Sequence, residues 1–198
     1  MASIRRYRPS DLPALYEVCL KTGQDGADAS ALYADPRLLG EIYAAPYAAF
    51  HPEHVFVAED ELGVAGYVLG APDTRAFEAR LETDWWPVLR ERHPDPADVP
   101  SWRRSRDQWD AYYIHHPPPA PQAAVDAAAA HLHIDLLPRL QGQGLGKALL
   151  DAWLPTVGGR AHLGCSAANL RALRFYGAYG WRRLEGAGPK SIVWMAIG

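Results

Sequence analysis

The residues able to do chemistry in this chain gather between positions 131 and 153. His131, His133 and Asp135 alternate with Leu132, Ile134 and Leu136, so two imidazoles and a carboxylate fall on one face of an extended segment. Groups of these two kinds are the usual carriers of general acid–base chemistry. A few residues on, in QGQGLGK, Gly142, Gly144 and Gly146 recur at every second position. They precede Leu145, Ala148, Leu149, Ala152 and Trp153, whose spacing makes one apolar helix face. Bare backbone N–H groups at a helix start point the same way as the helix dipole. The segment therefore predicts an anion cradle, suited above all to phosphate.

These residues need elements to hold them. Residues 131–137 read as a half-buried strand, which Pro138 ends by removing a donor. Residues 161–165 read as a further strand. Ser166-Ala167-Ala168-Asn169 then leads into a helix to about residue 179, with Ala172, Phe175, Tyr176 and Tyr179 on one side and Gly180 as its stop. Residues 181–184 and 191–197 read as a closing hairpin. Toward the N-terminus, residues 3–8 predict a short strand. A helix follows from Ser10 or Asp11 to about Lys21, with Leu12, Leu15, Tyr16 and Cys19 on one face, and then a polar loop over 21–28. Residues 33–47 form a second helical region interrupted at Pro36 and Pro46, and 55–59 and 64–69 are strands joined by a hairpin. Residues 73–122 carry Trp85, Trp86, Trp102, Trp109, Tyr112 and Tyr113 among many prolines. That is too aromatic for a linker, so a packed insertion of one to three short helices is expected, its aromatics mostly core and scaffold. The alanine-rich 123–130 stretch reads equally as a short helix or a loop.

Bulk properties set the frame. The 198 residues suffice for one sizeable core, so one domain over 1–198 is expected. The 48% apolar and 22% charged content is ordinary for a globular chain. A formal charge of −3 offers no electrostatic footprint for nucleic acid. No apolar run approaches the roughly 18 residues of a membrane span, and the N-terminus lacks a signal-like core. The chain reads as soluble, cytoplasmic and free of membrane contact. Cys19 and Cys165 sit far apart in apolar surroundings and read as buried free thiols rather than a disulfide or metal site; no metal is expected.

A P-loop would need a glycine where Gln141 stands and a hydroxyl where Ala148 stands, and a dinucleotide fingerprint would need G-x-G-x-x-G. Gln141-x-x-Gly144-x-Gly146 instead resembles the pyrophosphate loop of the GNAT acetyltransferase superfamily. The segment LGCSAANLRALRFYGAYGW, ending at Trp181, is similar to the last conserved block of the same superfamily. KTGQDGAD at 21–28, Ala45-Pro46-Tyr47, HVFVAEDELGVAGYVLG at 54–70 and Trp85-Trp86-Pro87 further resemble the acetyltransferase-like C-terminal domain of O-GlcNAcases, here expected as a free-standing homologue.

The resemblance implies an α/β (α+β) GNAT fold. It would have a mixed central sheet of about seven strands flanked by helices, splayed between its fourth and fifth strands, with residues 73–122 inserted between the third and fourth. It implies acetyl-CoA as cofactor. The backbone of Gln141, Gly142, Gln143, Gly144 and Gly146 would hold the pyrophosphate, with Lys147 adding charge. Leu136, Leu137, Asn169 and Phe175 would lie along the pantetheine arm. Tyr176, in the family's Phe-Tyr position, would be the acid for the leaving thiolate. Asp135, nearest the splay, is the first choice of base, acting directly or through a water. His133, with the better-matched intrinsic pKa, is the alternative, and an Asp135 that merely orients a histidine is a third arrangement. The acceptor would be an amine, on a small molecule or on a peptide lysine or N-terminus. The eukaryotic O-GlcNAcase domain, with its degraded phosphate loop, is regarded as a pseudo-acetyltransferase. A non-catalytic acyl-CoA-binding or interaction module is therefore the second reading, although the Gln141–Gly146 loop is intact here.

Overall fold

The computed structural model describes residues 2–198. Its seven strands are β1 (Ser3–Arg6), β2 (Val55–Asp60), β3 (Gly63–Ala71), β4 (His131–Leu136), β5 (Ala161–Ser166), β6 (Arg182–Arg183) and β7 (Ile192–Ile197). They form one sheet in the order β1-β2-β3-β4-β5-β7-β6. All neighbours are antiparallel except β4 and β5, which run parallel. The parallel pair is the hinge of the architecture. It joins an N-terminal antiparallel block to a C-terminal one, and the crossover between its strands carries the glycine loop.

The two faces of the sheet do different work. On one face lie Tyr67 of β3 and His131, His133 and Asp135 of β4, beneath α1 (Leu12–Thr22), α2 (Leu38–Tyr43) and α3 (Ala45–Phe50). On the other, α8 (Leu145–Trp153) lies across β1 to β4 and buries Leu149, Leu150 and Trp153. Asp11, expected as a possible helix cap, instead pairs through its carboxylate with Arg5 (2.6 and 2.9 Å), which also reaches Glu59 (2.7 Å) and so ties α1 to the first two strands.

The insertion is helical and pinned at several points. It contains α4 (Thr74–Arg80), one turn of π-helix at Leu81–Trp85, α5 (Trp86–Arg92) and α6 (Arg106–His115). Asp73 caps α4 by accepting from Ala76 N–H, and Ser105 with Gln108 forms a reciprocal capping box on α6. The Trp85 indole donates to the Glu41 carbonyl at 2.8 Å. Asp107 accepts from the N–H groups of Ala34 and Asp35 at 3.0 and 2.8 Å. Trp86 is core, at 2% exposure. Trp102 and Trp109 depart from the core expectation: Trp102 is 82% exposed, and each lies under a guanidinium, Arg103 and Arg104 respectively. The alanine-rich stretch resolves into both forms left open by its sequence, a short α7 (Gln122–Ala127) followed by extended chain into β4. Cys19 and Cys165 are free and buried. Among the described residues no helix is long and apolar enough to cross a membrane.

Gly70 marks a close approach of β3 to both β4 and α8. A Cβ there would stand 2.2 Å from the His131 carbonyl oxygen and 2.5 Å from the Trp153 ring. Gly70→Ala is expected to overpack this contact and cost about 1–3 kcal/mol. Urea unfolding should show a lower midpoint with an unchanged slope.

Candidate active site

The site begins where β4 and β5 part. Their registered pairing is the single pair His131–His162, with His162 N–H donating to the Ala130 carbonyl at 2.8 Å. On its other edge β4 is paired with β3 along its whole length, and Leu137 N–H continues that ladder to the Ala65 carbonyl at 2.8 Å. Because antiparallel bonds alternate, the backbone groups of Leu132, Ile134 and Leu136 face β5 instead. Past His131, those of Ile134 and Leu136 open onto a cleft of about 450 Å³. The splay expected between the fourth and fifth strands is present. Leu137 belongs to the sheet rather than the cleft, against expectation, with its side chain buried and its N–H spent on β3.

The glycine loop forms the far wall of the cleft. Gly142 and Gly144 have φ of +74° and +77°, the left-handed backbone that glycine adopts without strain, and open space surrounds both. Gly144 is the N-cap of α8, and the first intrahelical bond runs from Ala148 N–H to its carbonyl at 3.0 Å. The N–H groups of Leu145, Gly146 and Lys147 therefore have no acceptor within the helix. Gly146 is small for a different reason: a Cβ there would press on the Phe175 ring at 3.2 Å.

Two loop residues, Gln141 and Lys147, behave differently from expectation. Gln141 N–H is already spent on the Pro138 carbonyl, and its side chain spans the cleft end, donating to Leu136 O at 2.6 Å and accepting from Arg171. The Gln143 side chain turns outward to the Arg139 carbonyl. Lys147 borders the cleft, but its ammonium is paired with Asp151 one turn along at 2.7 Å, which offsets its charge.

The opposite wall is α9 (Leu170–Tyr179). Asn169 caps it, its side-chain oxygen accepting from Ala172 N–H at 3.0 Å, and Asn169, Phe175 and Tyr176 all line the cleft. So does Arg171, an exposed cation at the helix start that sequence reasoning missed; its position two residues after the capping asparagine was the available signal. Thr22 and Gly26 close the cleft from the end of α1, and Gly26 sits against both Asn169 and Arg171.

Asp135 stands at the junction of sheet, α1 and cleft. It accepts from the Tyr67 hydroxyl at 2.9 Å and has Thr22 beside it. Burial pushes its carboxyl up to about 6, against the Tyr67 and Thr22 contacts that favour the ionised form. Burial also raises the Tyr176 phenol far above its ordinary value, with Asp135 and Cys165 adding to the effect. His133 falls elsewhere: it lines a second cavity of about 360 Å³, next along β4, and burial lowers it to about 4. The sequence-predicted residues thus divide. Asp135, Leu136, Gln141, Gly142, Gly144, Gly146, Lys147, Asn169, Phe175 and Tyr176 surround one cleft, while His133, Leu137 and the Gln143 side chain lie outside it.

A mixed sheet parted at its parallel pair, with an N–H-lined glycine loop at the parting, defines a class. The model of the acetyltransferase (GNAT) family matches residues 27–181, and the chain belongs to that family. Among solved structures, SsHAT is similar over nearly the whole length: TM-score 0.87 and 35% identity, covering 98% of this chain and 96% of that one. The yncA protein of Salmonella typhimurium, solved with its cofactor acetyl-CoA, shares the fold at TM-score 0.53 and 13% identity, covering 98% and 92% of the two chains. Protein O-GlcNAcase of Rattus norvegicus is 30% identical over 94 residues, which are 48% of this chain and 10% of that protein, so the likeness concerns a small part of that relative.

Gly144→Glu would force a side chain into left-handed backbone and set a carboxylate beside the free N–H row. Coenzyme A titrated calorimetrically should bind at least about ten-fold more weakly, the ~1.4 kcal/mol of one decade, while circular dichroism keeps the wild-type fold.

Proposed function

We propose that this chain is an acetyl-CoA-dependent N-acetyltransferase in which Asp135 is the general base and Tyr176 the general acid. The observation that carries the reading is the placement of Asp135 in the same cleft as the unclaimed N–H groups of α8. A base and an anion cradle then serve one reaction centre.

The residues fit the cofactor. The N–H groups of Leu145, Gly146 and Lys147 suit a pyrophosphate, with Arg171 supplying the cation that Lys147 shares with Asp151. The cleft-facing backbone of Ile134 and Leu136 suits the amides of a pantetheine arm, and Phe175 offers it an apolar flank. When bound, acetyl-CoA supplies an acetyl thioester whose C–S bond breaks as the C–N bond to the acceptor amine forms. Asp135 takes the proton that the amine must lose. A pKa of about 6 still leaves it mostly ionised at neutral pH and makes it a stronger base than an ordinary carboxylate. The buried Tyr176 hydroxyl keeps its proton and can donate it to the departing sulfur. His133 is a weak base once buried, so its part is to orient the acceptor rather than to take the proton.

Three outcomes check these roles. Asp135 serves as base only when ionised, so kcat/KM should rise with pH through about 6 and then level. Asp135→Asn should remove that limb and lower kcat/KM roughly 10²- to 10⁴-fold, measured as acceptor-dependent thiol release. Tyr176→Phe should lower kcat while leaving acetyl-CoA affinity near wild type; unchanged kcat would remove the acid assignment.

A further inference from the structure

The second cavity is not used by the cofactor reading, yet it adjoins the reaction centre. It lies on the same face of β4 as Asp135, one alternation back along the strand at His133. We propose that this chamber receives the acceptor, and that it selects a primary amine carried on a flat, uncharged, apolar body, an arylalkylamine, whose nitrogen His133 Nδ1 orients. The proposal rests on the acetyltransferase reading and names its substrate class.

The walls are aromatic and hold one another in place. Tyr47 stacks on Phe77 with centroids 4.4 Å apart, Tyr43 meets Tyr113 at 5.9 Å, and Trp86 meets Tyr113 edge-on at 6.3 Å. A preformed slot of ring faces and edges favours a flat ligand with few rotors, because little freedom remains to be lost on entry. Residues 118–121 of the insertion wall one side and Ile192 with Trp194 of β7 the other.

The chamber offers no partner to a charged body. Among the described residues its only carboxylate is Glu78, and both Glu78 oxygens are engaged, one by Arg75 at 2.5 Å and one by Ala120 N–H at 2.7 Å. No lysine or arginine among the described residues lines it. A carboxylate-bearing amino acid would therefore meet no cation there, and a second ammonium would have to compete with Arg75 for the one carboxylate.

The hydrogen-bond chain at its base has one direction. Thr74 donates its hydroxyl proton to the Ala129 carbonyl at 2.7 Å, so its oxygen accepts from His131 Nδ1–H at 2.8 Å. The His131 Nε2 lone pair then accepts from the Tyr47 hydroxyl at 2.8 Å, and the Tyr47 oxygen accepts from His133 Nε2–H at 3.2 Å. Each link fixes the next tautomer, and the last leaves His133 Nδ1 as a lone pair. A lone pair there can hold an amine N–H beside Asp135. Because the chain ends at a backbone carbonyl, His133 is a positioning residue and not a route for protons.

The test compares 2-phenylethylamine, n-butylamine, phenylalanine and a lysine-containing peptide as acceptors, by thiol release from acetyl-CoA. It uses the wild type and two variants that fill the chamber from opposite walls, Ala120→Trp and Ile192→Trp. The expected result is kcat/KM for 2-phenylethylamine at least ten-fold above each of the others. Each variant should raise its KM at least ten-fold while leaving acetyl-CoA affinity unchanged in calorimetry. A preference for the peptide or for n-butylamine, or an unchanged KM in both folded variants, overturns the proposal. Ligand-observed NMR of 2-phenylethylamine with the coenzyme A-loaded protein separates the two readings. Binding that both variants abolish, without turnover, upholds the chamber and sinks the acetyltransferase reading; no binding to the wild type sinks the chamber alone.

Discussion

The separation of β4 from β5 is the constraint on which everything else depends. A strand buried in a sheet normally spends both edges on neighbours, and an unpaired buried N–H or C=O is costly. Here one edge of β4 is fully paired to β3, and the other keeps a single registered pair before the strands part. The loss is contained in two ways. Gln141 caps the Leu136 carbonyl from the side, and the remaining edge opens onto a cleft where a ligand or water can reach it. The same parting places the crossover loop and the α8 N-terminus at the mouth of the gap, so one local departure from regular pairing yields both a strand edge and an anion cradle.

The surrounding elements hold that gap open and polarise it. Phe175 against Gly146 sets the spacing between α9 and the loop, and Gly26 against Asn169 and Arg171 ties the end of α1 to the α9 cap. Tyr67 fixes the Asp135 carboxylate from the neighbouring strand, and the raised pKa follows from burying that carboxylate with few donors. Further back along β4, Tyr47 and Thr74 satisfy both nitrogens of His131, and Tyr47 takes one nitrogen of His133. Polar groups on a face that sequence alone marks as unfavourable to bury are thus paired one by one. The insertion contributes Phe77, Trp86 and Tyr113 to the same region, which makes it part of the chamber wall rather than an appendage.

What could be read from the sequence was local. Alternation placed His131, His133 and Asp135 on one face, glycine spacing placed the cradle at the start of α8, and Asn169 announced its own cap. What could not be read depended on neighbours distant in the chain. Leu137 leaves the cleft because its N–H is the next rung of the β3 ladder. Lys147 is offset because Asp151 lies one turn away on the exposed face, a pairing visible in the spacing but outweighed by the loop's own signal. Arg171, Thr22 and Gly26 enter the site only when α9 and the end of α1 converge on the loop. Trp102 and Trp109 show why aromatic content is a poor guide to burial: it says that a segment packs, not which rings face inward.

The most direct measurement is a crystal structure of this chain with acetyl-CoA bound. The account predicts the pyrophosphate on the N–H groups of Leu145–Lys147, the pantetheine paired to the backbone of Ile134 and Leu136, and the acetyl carbon on the side facing Asp135 and the aromatic chamber. A cofactor seated away from the β4–β5 gap, or an acetyl group directed away from Asp135, would contradict it.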